Sequence, residues 1–246
     1  MRLLTVAFLL VLLAACGDAG KADEELLVSA AASLTDAFAE METVFEAANP
    51  GVDVVLNFGA SSTLREQILE GAPLDVFASA NTSNMDQVVA AGDTVGEPQI
   101  FARNLLQIAV PAGNPAGVAS LADFADEELL LGLCAQGVPC GDFAREVLAG
   151  AGVVPAVDTH EPDVRSLLTK VEAGELEAAI TYVTDVASAA DGVEGVHIPE
   201  EDNIVASYPI AVLAGAMNQG TAGAFIDFVL SDEGQTILAD FGFASP

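Results

Sequence analysis

Two short stretches decide the fold and give the first indication of a site: AAASLT at residues 30–35 and GASSTL at residues 59–64. Each follows a run of apolar residues, 26–29 and 52–58, that predicts a β-strand, and each opens onto a segment with helical periodicity. A helix N-terminus exposes backbone N–H groups without partners and carries a partial positive charge. A small hydroxyl residue at that point adds another donor, so both turns are suited to an oxyanion.

The hydroxyl residues of these turns also have a purely structural interpretation, in which they cap the helices that follow. Ser33 with Asp36 and Thr63 with Glu66 have the spacing of a capping box, and Ser62 is a further candidate for the N-cap. The local sequence leaves both interpretations open.

Strand and helix patterns alternate along the chain, which predicts an α/β fold with largely parallel sheets and flanking helices. A Pro- and Gly-rich segment at 111–115 precedes a second strand–helix series, and the strand predicted at 208–214 returns to the first series. We therefore expect two lobes with a ligand cleft between them. Lobe 1 comprises residues 26–106 and 209–246, and lobe 2 comprises residues 107–208. Both serine turns fall at carboxyl ends of strands, where open α/β sheets bind ligands.

The N-terminus has the features of an export signal. Arg2 precedes an apolar core at 3–13, and Leu-Ala-Ala-Cys at 13–16 resembles a bacterial lipobox in which Cys16 is lipidated. We expect residues 1–16 to be a lipoprotein signal peptide and 17–25 a polar tether, which places the protein outside the cytoplasm on a bacterial membrane. A plain secretory signal with an incidental cysteine is the alternative.

The charge of the chain is strongly negative. Seven basic and 37 acidic residues give −30, and removal of Arg2 with the signal leaves 6 basic residues and −31. This balance argues against nucleic-acid binding and against electrostatic adhesion to anionic lipid, and it favours solubility. A small anion must approach through a repulsive long-range field.

Cys134 and Cys140 are the cysteines that remain beyond the lipobox. In an exported protein, two cysteines at this short spacing suggest a disulfide. A zinc site is the rival interpretation, but it needs further ligands, and His160 and His197 are the only histidines.

Several separated motifs resemble those of the molybdate-binding proteins that serve ATP-driven importers. They are residues 30–38, 58–68, 71–80, Val138-Pro139, 163–165, Thr181-Tyr182 and 208–210, in the order of that family. The resemblance extends from about residue 26 to residue 243. It implies a two-lobed type II periplasmic-binding-protein fold, molybdate or tungstate as the ligand, no cofactor and no catalysis. It also implies a permease and an ATPase as partners of a monomeric binding protein.

Carried over position by position, the resemblance assigns the ligand contacts. The hydroxyls of Ser33, Ser61 and Tyr182 and the backbone N–H groups of Cys140 and Val164 would hold the oxyanion. Molybdate is fully deprotonated at neutral pH, so its oxygens only accept hydrogen bonds and a site made of donors suits it. Hydrogen phosphate carries a proton that needs an acceptor.

Three other functions compete with this interpretation. A serine hydrolase would need His160 or His197 as its base, and the chain has no Gly-x-Ser-x-Gly elbow. A cation-binding protein would use the many carboxylates, but they are dispersed and no calcium-loop spacing occurs. The same fold could also bind another oxyanion, such as sulfate or phosphate.

Overall fold

The computed structural model describes residues 24–189 and 191–246. The predicted signal peptide, Cys16 and most of the predicted tether lie outside these residues. Glu24 and Glu25, which the sequence analysis assigns to the tether, instead begin the first strand, because Glu24 is in register with Val52 of the second.

Strands and helices alternate along the described chain. The strands are β1 (Glu24–Ala31), β2 (Val52–Gly59), β3 (Val76–Ala78), β4 (Thr94–Pro111), β5 (Leu131–Cys134), β6 (Thr159–Glu161), β7 (Ala178–Tyr182), β8 (Val193–Val196) and β9 (Val205–Leu213). The helices are α1 (Thr35–Ala48), α2 (Ser61–Leu69), α3 (Thr82–Ala91), α4 (Pro139–Gly150), α5 (Val164–Glu172), α6 (Val183–Ser188), α7 (Gln219–Leu230) and α8 (Asp232–Asp240). Short 3-10 turns cover Ala32–Leu34, Leu121–Ala125 and Glu200–Asp202.

The strands form two groups that share β4. In the first sheet, in the order β2-β1-β3-β9-β4, β1 runs parallel to β2 and β3, and β9 runs antiparallel to β3 and β4. In the second sheet, β5 runs parallel to β6 and β7, and β4 runs antiparallel to β7 and β8. Parallel pairing therefore joins the strands separated by crossover helices, as expected for an α/β fold.

β4 passes from one sheet to the other and is 18 residues long. It pairs with β9 as far as Leu105 and with β7 from Leu106 onward. The sequence predicts only its second part, 105–110. Its first part contains Gly96 and Pro98 and shifts register between Val95 and Gln99, so it lacks the alternation that reveals a strand.

The core of the first sheet is aromatic. Phe38, Met41 and Phe45 follow the helical spacing predicted for α1 and are buried. Phe225 of α7 lies 6.0 Å from Phe38 and 5.2 Å from Phe45 between ring centroids, so the C-terminal helices pack on this sheet. Among residues 24–189 and 191–246, no helix is both long and apolar enough to cross a bilayer.

Candidate binding site

A small cavity lies where the carboxyl ends of β1 and β2 meet the N-termini of α4 and α5. Its volume is about 20 Å³, and a cavity that holds a single water needs roughly 10–15 Å³. The space therefore suits a ligand somewhat larger than one water. All the ligand-contacting residues predicted from the sequence line it, and the full lining is Ala31, Ala32, Ser33, Gly59, Ala60, Ser61, Ala80, Val138, Pro139, Cys140, Asp163, Val164 and Tyr182.

Ser61 is the first residue of α2 and is buried. Its Oγ accepts a hydrogen bond from the backbone N–H of Ala80 at 2.9 Å. A backbone N–H can only donate, so this bond occupies a lone pair of Oγ and leaves the hydroxyl proton free for the cavity. The capping interpretation of this turn is wrong, because Ala60 is the N-cap of α2 and no side chain caps the helix.

Ser33 lies in the 3-10 turn that follows β1. Its Oγ is 2.9 Å from the hydroxyl oxygen of Tyr208, which is on β9. The capping interpretation is wrong here as well, because neither the turn nor α1 receives a side-chain cap. The Ser33 hydroxyl is committed to a residue 175 positions away, which no local sequence pattern could reveal.

Cys140 and Val164 offer backbone donors. Val164 is the first residue of α5, and Cys140 follows Pro139, the first residue of α4. N–H groups in the first turn of a helix have no acceptor within the helix, so both are available to a ligand. Three helices, α2, α4 and α5, thus direct their positive ends at the cavity.

A disulfide anchors the first turn of α4. Cys140 is joined to Cys134 at the end of β5, with an Sγ–Sγ distance of 2.05 Å. Gly141 permits the close approach of helix and strand, because a Cβ there would collide with the backbone oxygens of Cys134 and Ala135. The bonded sulfurs are no longer thiolates, so the zinc interpretation of these two residues is excluded.

Tyr182 ends β7 and is the most informative side chain of the cavity. The residue is buried, and its hydroxyl has no hydrogen-bond partner in the part of the chain that the structure describes. Burial, reinforced by the nearby Tyr208 and Asp185, raises the pKa of the Tyr182 phenol well above its ordinary value. The group is therefore a neutral donor at any physiological pH. The Tyr208 hydroxyl is near enough to influence its pKa, but the two hydroxyls do not meet the ordinary distance and angle limits of a hydrogen bond.

No cationic side chain of the described residues lines the cavity. Arg165, the candidate next to Val164, is directed away from it and pairs with Asp36 of α1 while donating to Ser188 Oγ at 2.8 Å. The carboxylate of Asp163 accepts from Ser166 N at 2.8 Å and from Ser166 Oγ at 2.9 Å. The groups facing the cavity are therefore mainly neutral donors.

A buried carboxyl group stands directly behind the site. Asp185, in the first turn of α6, accepts from the backbone N–H of Tyr182 at 3.0 Å. Burial raises its pKa to about 7, against the opposing effects of the Tyr182 N–H and Arg165. No sequence pattern predicts a role for Asp185, and Tyr208 lies within the motif at 208–210 without a predicted contact of its own.

The other candidate chemistries find no support in the described residues. His160 and His197 are exposed and do not line the cavity, so neither is placed to act as a base for Ser33 or Ser61. In residues 24–189 and 191–246, no group of three or more His, Cys, Asp or Glu side chains is arranged to hold a metal ion.

Fold and cavity together define a class, the substrate-binding proteins built from two α/β halves around a small ligand. The chain belongs to the family of bacterial extracellular solute-binding proteins, which matches residues 26–244. The members of this family capture solutes for transport and are not enzymes, so the serine-hydrolase alternative is excluded.

Individual relatives agree with this assignment. The chain is 38% identical to the molybdate-binding protein ModA of Mycobacterium tuberculosis, over 99% of this chain and 97% of that protein. It is 36% identical to the molybdate-binding protein ModA of Escherichia coli, over 94% and 93% respectively. The periplasmic molybdate-binding protein of Azotobacter vinelandii superimposes with a TM-score of 0.75, over 90% of this chain and 99% of that chain. Its identity is 17%, so that likeness confirms the predicted fold alone.

Proposed function

We propose that this protein captures molybdate outside the cytoplasm and delivers it to an ABC importer. The observation that carries the proposal is the buried, unpartnered hydroxyl of Tyr182 in a cavity lined by donors. A donor without an acceptor is costly in a protein interior, and a fully deprotonated oxyanion supplies the acceptor. The relatives named as molybdate-binding proteins align over nearly the whole chain, which supports the choice of anion.

The proposed ligand contacts are Ser33, Ser61, Tyr182, and the N–H groups of Cys140 and Val164. Each hydrogen bond to a charged oxygen is worth about 1.5–3 kcal/mol, and on the order of five to seven such bonds offset desolvation and ordering. We therefore expect micromolar to nanomolar affinity. Neutral donors also let the anion leave when the site opens.

The mechanism that we propose is closure of two lobes, residues 26–106 with 209–246 and residues 107–208. Ser33 and Ser61 would approach the anion from the first lobe, and Cys140, Val164 and Tyr182 from the second. The crossing strands β4 and β9 would act as the hinge, and Cys16 would carry the lipid anchor. Tungstate, which has the same charge and shape as molybdate, is proposed as a second ligand.

Calorimetric titration with molybdate, tungstate, sulfate and phosphate, side by side, tests the function. We expect tight binding of molybdate and tungstate, weaker binding of sulfate and the weakest binding of phosphate, whose proton meets no acceptor among the five proposed contacts. Sulfate is the strongest alternative ligand because it is also a fully deprotonated dianion. Binding of sulfate in preference to molybdate would reassign the ligand, and failure to bind any of the four would refute the proposal.

A further inference from the structure

A buried chain of hydrogen bonds runs from Asn104 on β4 through Tyr208 on β9 to Ser33. Asn104 Nδ2 lies 3.5 Å from the Tyr208 hydroxyl oxygen, which lies 2.9 Å from Ser33 Oγ. Both Asn104 and Tyr208 are buried, and neither lines the cavity. Tyr208 therefore meets the cavity lining at two residues: it hydrogen-bonds to Ser33, and its ring lies edge-on to that of Tyr182.

The partners of Asn104 orient its amide and so favour one direction of donation along this chain. Its Oδ1 accepts from the backbone N–H of Leu105 at 3.0 Å, and its Nδ2 donates to Thr184 Oγ1 at 2.8 Å. With the amide oriented in this way, its second N–H faces the oxygen of Tyr208. Either hydroxyl of the Tyr208–Ser33 pair can donate, and the Asn104 N–H favours the arrangement in which Tyr208 donates to Ser33 Oγ and the Ser33 proton is left for the cavity.

The opposite direction would make the site unfavourable for a dianion. If Ser33 donated to Tyr208, it would present only lone pairs to the ligand, and these would repel oxygens that carry no proton. The same lone pairs would accept the proton of a singly protonated oxyanion. The orientation of the Ser33 hydroxyl therefore biases the cavity toward one protonation state of the ligand.

We propose that Tyr208, oriented by Asn104, is a positioning residue that holds Ser33 as a donor and so excludes protonated oxyanions such as hydrogen phosphate. This inference rests on the proposed function, because it assumes that Ser33 contacts an oxyanion. Burial raises the pKa of the Tyr208 phenol, so its proton is present at every pH at which the protein works.

Tyr208→Phe tests the role of the hydroxyl with little change in packing. The ring of Tyr208 lies edge-on to Phe101, Phe243 and Tyr182, and a phenylalanine keeps these contacts. We expect the affinity for molybdate to fall about tenfold while the affinity for phosphate stays the same or rises. The molybdate-to-phosphate affinity ratio, measured by calorimetry, then shrinks at least tenfold.

A double-mutant cycle with Ser33→Ala separates positioning from general destabilisation. If Tyr208 acts through Ser33, Tyr208→Phe should have little further effect once the serine is gone. Thr181→Val is the matched control, because it also removes a buried hydroxyl. Unlike that of Tyr208, the Thr181 hydroxyl has no partner in the described chain, and Thr181 does not line the cavity. We expect Thr181→Val to leave the ratio unchanged.

Each outcome is decisive. Equal losses for both anions, or the same loss with and without Ser33, would show a structural role and overturn the inference while leaving the proposed function intact. A wild-type protein that ignores molybdate would overturn both. If Tyr208→Phe does not fold, Asn104→Ala serves instead, since it keeps the hydroxyls of Tyr208 and Ser33. It is expected to lower the molybdate-to-phosphate affinity ratio by two- to fivefold. An unchanged ratio in that variant would also overturn the inference.

Discussion

The hydroxyl of Ser61 accepts a hydrogen bond from the Ala80 N–H, and its proton is free to donate toward the cavity. We predict that Ser61→Ala weakens molybdate binding by about 1.5–3 kcal/mol, the value of a hydrogen bond to a charged group. Calorimetry measures the loss, and a thermal melt should show little change in stability.

Ser62→Ala is the matched control for Ser61→Ala. Ser62 is the next residue of α2 and does not line the cavity. We expect its replacement to leave the affinity unchanged. Equal effects of the two substitutions would contradict the assignment of Ser61 as a ligand.

The buried carboxyl of Asp185 predicts a pH dependence of stability. An aspartate in the unfolded chain ionises near pH 4, whereas Asp185 stays protonated to about pH 7 in the folded protein. Its protonated form therefore adds stability at and below about pH 4, and this contribution is lost as the pH rises toward and through 7. Arg165 opposes the raised pKa, and Asp36 and Asp163 reinforce it.

Asp185→Asn tests this dependence by denaturant unfolding at several pH values. The free energy of unfolding of the wild type minus that of the variant should fall by a few kcal/mol between about pH 4 and 8. A difference that is constant across this range would show that Asp185 titrates normally.

At the level of single residues, the sequence reveals donors but not the atoms that orient them. Ser33, Ser61 and Tyr182 could be predicted because the motifs that contain them resemble those of the molybdate-binding proteins. Tyr208 and Ala80 could not be identified as their partners, because these contacts depend on how the strands pack. Asp185 has an elevated pKa only because the folded chain removes it from water.

At the level of the elements, one ion pair joins two helices that lie beside different sheets. Arg165 of α5 pairs with Asp36 of α1, so the pair links a helix beside the second sheet to one beside the first. Both side chains are partly exposed, at 28% and 42%, and such pairs are worth roughly 0.2–1 kcal/mol. The contact is expected to favour the closed arrangement slightly.

We predict that Arg165→Gln weakens molybdate binding roughly two- to fivefold, measured by calorimetry. Lys170→Gln is the matched control, since Lys170 is also on α5 but pairs with Glu161 of the neighbouring β6, at 2.6 Å. A loss of similar size in both variants would mean that net charge, and not the link between the helices, is responsible.

The predictability of the elements depended on how regular each one is. The helical periodicity predicts a helix over 34–48 and the apolar run predicts a strand over 178–182, and the observed α1 and β7 lie within a residue of these bounds. The sequence pattern does not predict the first half of β4, because its irregular register hides the alternation of apolar and polar residues. It does not predict β6 either, because three residues are too few to show an alternation. The predicted α/β class is nevertheless correct, because the remaining strands and helices still alternate along the chain.

At the level of the whole molecule, the formal charge of −30 opposes the approach of a dianion. Salt screens this repulsion, with a Debye length of about 30 Å at 0.01 M and about 10 Å at 0.1 M. We predict that the association rate for molybdate, measured by stopped flow, rises as salt is added. A rate that falls with salt would reveal a local positive field strong enough to overcome the acidic surface.

The disulfide between Cys134 and Cys140 has a consequence for when the protein can bind its ligand tightly. Cys140 lines the cavity, and its sulfur bonds the first turn of α4 to the end of β5. In a reducing compartment, a newly synthesised chain would lack this disulfide. The backbone N–H of Cys140, one of the proposed donors, would then be less rigidly positioned. The protein would therefore reach its full affinity for the ligand only after export, once the disulfide has formed.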